Sequence, residues 1–157
     1  MLHGIEGKPL RVDTGLPYAA LCNVIGTELD FPPCLLYAVA FRECIGEYGE
    51  APDILSFDGG HGLCQLTSSF PQDWADPGAN LRYAVTQFLI PAMSYWAGQG
   101  EAGDALVKLV ADTYNEGLSA AIEYHAEGNA DLGTTNHYGS NVLRIYHQLV
   151  AGEQPTL

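Results

Sequence analysis

The sequence predicts a mostly α fold, a helical bundle around a central buried helix, with a small β-hairpin or loop region near residues 50–66. Three observations carry this. The run Leu35-Leu36-Tyr37-Ala38-Val39-Ala40-Phe41 is apolar on every face, the pattern of a helix enclosed by others. Segments on either side of it repeat apolar residues at helical spacing. The 18 glycines and 9 prolines are scattered, so they punctuate elements and do not form a low-complexity tract. At 157 residues, 47% of them hydrophobic, the chain has the length for one domain with a substantial core and is too apolar for a disordered one.

Taken in order, Leu16 to Leu29 reads as a helix opened by Pro17, with Leu21, Val24, Ile25 and Leu29 at helical spacing. Pro32-Pro33 starts the central helix, Cys34 to about Glu47. From Gly46 to Gly62 the turn formers Gly49, Pro52, Asp53, Asp58, Gly59 and Gly60 predict a long loop or a small hairpin, and long ordered loops often carry function. Ser68 to Gly78 is a second loop. Ala79 to about Gly98 reads as a helix with Leu81, Val85, Phe88, Leu89 and Ala92 on one stripe and a bend at Pro91. Glu101 to Tyr114 follows, with Leu106, Leu109 and Val110 facing inward. Leu118–Ala126 and Tyr138–Val150 complete the set, joined by Gly128–Asn136.

Charge and composition exclude several functions. Nineteen acidic residues against six basic ones give a net charge of −13, a field that repels nucleic acid and anionic membranes. No run of eighteen apolar residues occurs, so no membrane insertion is expected. Met1 to Val12 carries Lys8 and Arg11 but no apolar h-region, so a signal peptide is not expected either. Cys22, Cys34, Cys44 and Cys64 match no zinc spacing and read as small buried hydrophobes, with a Cys22–Cys34 disulfide left open. Nothing in the pattern calls for a metal or an organic cofactor.

The chemistry concentrates in two stretches. In Phe41-Arg42-Glu43-Cys44 the carboxyl of Glu43 follows Leu36 by seven residues, Val39 by four and Ala40 by three, so it shares a helical face with apolar side chains. An acid so placed is either ion-paired, with Arg42 or a distant cation, or held protonated for proton transfer. Asp58-Gly59-Gly60-His61-Gly62-Leu63-Cys64-Gln65-Leu66-Thr67 is a glycine-rich turn running into a short apolar segment. Asp58 is an ordinary turn residue on local grounds, while Gly62 and Gln65 suggest close backbone approach to a ligand. Tyr114-Asn115 and Tyr138 offer flat rings and an amide, a combination suited to sugars.

Together these residues resemble the lysozyme superfamily of peptidoglycan glycosidases, and most nearly its goose-type lysozymes within the group that includes soluble lytic transglycosylases. The resemblance runs from about Leu35 to Leu149. Phe41-Arg42-Glu43-Cys44 is similar to the helix end holding the family's catalytic glutamate. Gly62-Leu63-Cys64-Gln65-Leu66-Thr67 is similar to the Gly-Leu-Met-Gln signature, with cysteine in the methionine place. Tyr114-Asn115-Glu116-Gly117 is similar to Tyr-Asn-Ala-Gly, and Asp131-Leu132-Gly133-Thr134-Thr135 with Tyr138 to the Asp-Ile-Gly-Thr-Thr segment.

The resemblance implies a lysozyme-like α+β fold with a catalytic core of about residues 16–151. It also implies cleavage of the β-1,4 bond between N-acetylmuramic acid and N-acetylglucosamine at the bacterial cell wall. Glu43 would be the general acid and Asp58 the water-positioning base, with His61, Gln65, Thr67, Tyr114, Asn115 and Tyr138 binding substrate. Inverting chemistry of this kind sets two carboxyls about 6.5–9.5 Å apart to admit a water. Thr67 stands where goose-type enzymes often carry a further aspartate, and Asp73 in the following loop is the candidate to replace it. Without a base, the sugar's own 6-hydroxyl attacks instead, which is lytic transglycosylase chemistry with 1,6-anhydro products. A non-catalytic wall-binding module and a chitin-directed glycosidase share the same groove. The partner expected is the glycan strand, met by a monomeric domain. The acidic balance gives up electrostatic attraction to an anionic wall, favouring delivery by a larger assembly such as a phage-encoded lysin or virion-associated protein.

Overall fold

The computed structural model describes residues 2–157 and is mostly helical. α1 (Ala19–Leu29) is followed by α2 (Pro33–Ala40), a π-helical turn (Phe41–Ile45) and a last short turn, α3 (Gly46–Tyr48). α4 (Pro77–Ala84) likewise passes through a π turn (Val85–Leu89) into α5 (Ile90–Gly98). α6 (Gly103–Glu116), α7 (Leu118–Ala126), a 3-10 turn (Ala130–Gly133) and α8 (Tyr138–Val150) complete the chain.

α2 is the hub, and all eight of its residues are buried. Its two leucines, Leu35 and Leu36, are fully enclosed, each burial stabilising by on the order of 2 kcal/mol. α2 packs on α1 and α8, while α6 packs on α5, α7 and α8. α8 buries Val142, Ile145, Tyr146 and Leu149, a stripe at helical spacing. α8 packs along the central helix and α6 along α8, and the cleft opens beyond the end of the central helix, where α6 contributes Tyr114 and Asn115.

Two sequence expectations are corrected, and a third is settled between its two alternatives. α1 starts at Ala19, not Leu16: Tyr18 has a φ of 63°, so Leu16-Pro17-Tyr18 forms the turn before the helix. The fourth helix begins two residues early, at Pro77, because Asp76 Oδ2 accepts from the Ala79 N–H at 2.8 Å and caps it. The region 50–66 forms no hairpin; it is a loop with isolated bridges at Leu55–His61 and His61–Leu66. Backbone pairs such as Ser56 N–H to the Gly60 carbonyl and Gly62 N–H to the Ile54 carbonyl make the bridges, and side chains add to them, with Gly60 N–H donating to Ser56 Oγ and Gln65 Nε2 donating to the carbonyls of Gly62 and Ile54. The bend expected at Pro91 corresponds to the π turn that immediately precedes Ile90-Pro91. All four cysteines are free and buried. No described helix is long and apolar enough to cross a membrane.

Candidate active site

A polar cleft of about 530 Å³ lies against the end of the central helix. Of the residues singled out in the sequence, Glu43, Asp58, Gln65, Thr67, Tyr114 and Asn115 line it. Glu43 reaches it from the π turn Phe41–Ile45, where the Gly46 N–H donates to the Phe41 carbonyl five residues back. That widened turn leaves Cys44 and Ile45 in the core and Glu43 at the cleft wall.

The Glu43 carboxyl is partly accessible at its rim yet deeply set. The Tyr138 hydroxyl donates to Glu43 Oε1 at 2.6 Å. Arg42 does not pair with Glu43 directly; its guanidinium lies over the Tyr138 ring, 5.2 Å from the centroid. Burial pushes the Glu43 pKa up to about 7, against the opposing pull of the Tyr138 hydrogen bond and the Arg42 charge, with a smaller upward push from Asp58. An acid with this pKa keeps a large protonated fraction at neutral pH and still gives the proton up readily, which is what general acid catalysis requires.

Asp58 has the opposite environment. It is exposed in its turn, accepts hydrogen bonds from the Ser56 hydroxyl and from Gly60 N–H, and is held below the usual carboxylate range by them. Two carboxyls on one cleft are thus pushed apart in acidity, one kept neutral and one kept ionised.

The loop carrying Gln65 is fixed from beneath by Asn80 on α4. This buried amide accepts from the Cys64 N–H and donates to the carbonyls of His61 and Trp74, each at 2.9 Å. Gly62 has φ of 70°, and a Cβ there would lie 2.3 Å from Asn80 Nδ2, so glycine is required by both backbone and space. Gln65 has φ of 49° and spends its Nε2 on the loop's own carbonyls, leaving its side chain braced at the cleft edge. The Tyr114 hydroxyl donates to the Cys64 carbonyl, tying α6 to the same loop.

Two predicted substrate residues are placed elsewhere. His61 stacks on Phe70 with centroids 3.8 Å apart, meets Trp74 edge-on and bonds the Leu66 carbonyl through Nδ1; it does not line the cleft. Tyr138 is 1% exposed, so it serves Glu43 and is closed to a ligand. Asp73 is exposed in the turn before α4 and is not part of the cleft wall. Asn115 lines the cleft while its Oδ1 accepts from the Thr135 N–H.

Among the residues of the cleft wall, sequence reasoning missed Glu47, Tyr48, Ser56, Ser68 and Phe88, and named Glu116 only within the Tyr114–Gly117 motif. Glu47 follows Glu43 by one helical turn, a spacing that was available. Phe88, on the apolar stripe of its helix, packs against the core and also lines the cleft, edge-on to Tyr114. Glu116 has both carboxyl oxygens buried without a hydrogen-bond partner among the described residues, and its pKa is raised by burial and then by Asp131. Among the described residues, no group of three or more His, Cys, Asp or Glu side chains is arranged to hold a metal ion. No family model matches the chain, and no curated protein matches it either.

Proposed function

We propose that the chain is a lysozyme-like glycosidase of the bacterial cell wall, cleaving the β-1,4 bond between N-acetylmuramic acid and N-acetylglucosamine. The observation that carries this reading is Glu43: a carboxyl with a pKa of about 7, oriented by Tyr138, at the wall of an open polar cleft. The reading draws equally on the four ordered motifs of the sequence, whose residues gather at or beside this cleft. In the reaction Glu43 gives its proton to the glycosidic oxygen as the bond to the anomeric carbon breaks. Asp58, ionised in the same cleft, takes a proton from the attacking water, and the product is a reducing sugar with inverted configuration. Tyr114 and Phe88 supply ring faces, and Asn115 and Gln65 supply amides, for the strand.

One observation favours a second reading, lytic transglycosylation. The Asp58 carboxylate is already engaged by Ser56 and Gly60 in its own turn, and Thr67 occupies the other place where the family carries an acid. Without a free base, Glu43 alone suffices for attack by the 6-hydroxyl.

Mass spectrometry of products from purified peptidoglycan, with Glu43→Gln and Asp58→Asn in parallel, tests both readings. Reducing ends lost in both variants support the hydrolase. Anhydro ends that persist in Asp58→Asn support the transglycosylase. Intact strands with wild-type protein, or cleavage undiminished in Glu43→Gln, refute catalysis by Glu43 and leave a wall-binding module.

A further inference from the structure

α8 begins in an unusual way. Asn136 and His137 both have left-handed φ, 51° and 52°, so the chain turns sharply into the helix without a capping side chain at His137. The three N–H groups that follow are each met by a side chain from elsewhere. Tyr138 N–H donates to Thr134 Oγ1 at 2.9 Å, Gly139 N–H to Asp112 Oδ1 at 2.8 Å, and Ser140 N–H to Asp131 Oδ1 at 3.2 Å. The Ser140 hydroxyl adds a bond to Asp131 Oδ2.

Asp112 and Asp131 are both buried, and they share one cation. Lys108 Nζ lies 3.0 Å from Asp112 Oδ2, one helical turn away on α6, and 3.4 Å from Asp131 Oδ1. Asn129 Oδ1 accepts a further Lys108 hydrogen at 2.9 Å. Burial and the neighbouring Asp131 push Asp112 up to about 7 while Asp131 is held down at about 2, so the two buried acids share one ammonium and, toward neutral pH, one retained proton. The fit at Gly139 is close: a Cβ there would lie 2.2 Å from Asp112 Oδ1. The first residue of this tethered turn is Tyr138, whose hydroxyl holds Glu43.

We propose that Asp112, Asp131, Lys108 and Ser140 are positioning residues that dock the first turn of α8 and so deliver the Tyr138 hydroxyl to Glu43. The assignment rests on Glu43 being the acid of the proposed reaction, but the geometry it describes is independent of any substrate. The titratable and charged groups around Glu43 are Arg42, Cys44 and Glu47 from its own helix, Asp58 and Cys64 from the loops, Tyr114 and, across the cleft, Glu116 from α6, and Tyr138 from α8. Of these only Tyr138 donates a hydrogen bond to its carboxylate, so loosening α8's first turn raises the pH at which Glu43 ionises. Loss of a buried negative charge, acting through space alone, lowers that pH. The sign separates the two.

The test is a carbon-13 NMR titration of the Glu43 carboxyl in the intact protein, its signal assigned by its absence in Glu43→Gln. Ser140→Ala changes no charge and removes only the hydroxyl bond to Asp131. Asp131→Asn removes the charge as well. Both are expected to move the Glu43 midpoint upward, as Tyr138→Phe does, and to add nothing further in a Tyr138→Phe background. A midpoint one pH unit higher is a tenfold change in the protonated-to-ionised ratio. The high-pH limb of wall cleavage moves by the same amount, whereas general weakening of the fold lowers the rate at every pH alike. A folded Ser140→Ala with the wild-type Glu43 midpoint overturns the proposal, as does a downward shift in Asp131→Asn. If Asp131→Asn does not fold, Ser140→Ala decides alone. If wild-type protein leaves peptidoglycan intact, the titration still reports on positioning, so the two failures are distinguishable.

Discussion

Replacing Glu43 with glutamine separates the cost of the acid from its use. The Glu43 pKa rises from the ordinary 4.5 to about 7 on folding, so the native state retains a proton that the unfolded chain has released. A group of this kind contributes stability that is complete below pH 4.5 and lost as pH rises through 7, after which the ionised carboxylate sits in the protein at full cost. With 1.36 kcal/mol for each pH unit between the two values, that cost comes to about 3 kcal/mol. Glutamine keeps an oxygen for the Tyr138 hydroxyl and never ionises. The stability of Glu43→Gln relative to wild type should therefore grow by about 3 kcal/mol between about pH 4 and pH 8, while activity is abolished. Urea unfolding of both proteins across that range, at unchanged m-value, measures the difference directly, because the ionisations common to both cancel. The same difference raises the melting temperature of the variant by about 6–12 °C at about pH 8 for a chain of this size. A stability difference that stays flat across the range would mean that Glu43 ionises as an ordinary surface acid, and the argument for a proton held at neutral pH would collapse.

Cleavage of peptidoglycan should follow a bell: it falls on the alkaline side as Glu43 ionises near pH 7, and on the acid side only below the usual carboxylate range, where Asp58 finally protonates; a rate that climbs beyond about pH 8 contradicts both assignments. Asn80→Leu leaves the Cys64 N–H and the Trp74 carbonyl without partners and costs the His61 carbonyl one of its two, the Leu66 N–H remaining. It should lose about 3 kcal/mol of stability in chemical unfolding, with binding of chito-oligosaccharides weakened more than proportionately. Gly139→Ala drives a methyl into Asp112 and should cost about 1–3 kcal/mol despite alanine's better helix propensity, whereas an increase in stability would show that α8 does not dock there. Binding to isolated cell walls should strengthen as salt rises from about 10 mM to about 150 mM, because a chain of net charge −13 is repelled by an anionic polymer over a screening length that shrinks from about 30 Å to about 8 Å; co-sedimentation measures it, and tighter binding at low salt refutes the repulsion.

The helices were legible where sequence and solvent exposure agree. α7 and α8 have the bounds expected of them, since each carries an apolar stripe between turn residues. The start of α4 was also readable: Asp76-Pro77 is a cap followed by a first-turn proline, a signal that the apolar stripe alone obscures. Leu16-Pro17 misled because the proline sits before a left-handed Tyr18 and not at the helix start. At the site, Glu43 was readable because its apolar spacing announces a buried acid. The placements of His61 and Tyr138 were not, since a ring or a hydroxyl finds partners inside a protein as readily as on a sugar. The Asp112–Lys108–Asp131 cluster was invisible for a simpler reason. Lys108 and Asp112 are one turn apart on α6, but Asp131 lies in the turn before α8, and only tertiary packing brings it to them.

The two π turns lie in the segments that carry Glu43 and Phe88 to the cleft. One extra residue in a turn advances everything after it by about 100° around the axis, so an apolar stripe changes face without any break in helical composition. Phe41–Ile45 uses that step to bring Glu43 to the cleft while Cys44 and Ile45 remain buried. Val85–Leu89 uses it to bring Phe88 to the same cleft while Val85 and Leu89 remain buried. Both insertions lie in chain that faces the cleft, and each loosens local hydrogen bonding that an α-helix would satisfy better. Their placement is therefore accounted for by what they present, an acid in one case and an aromatic ring in the other.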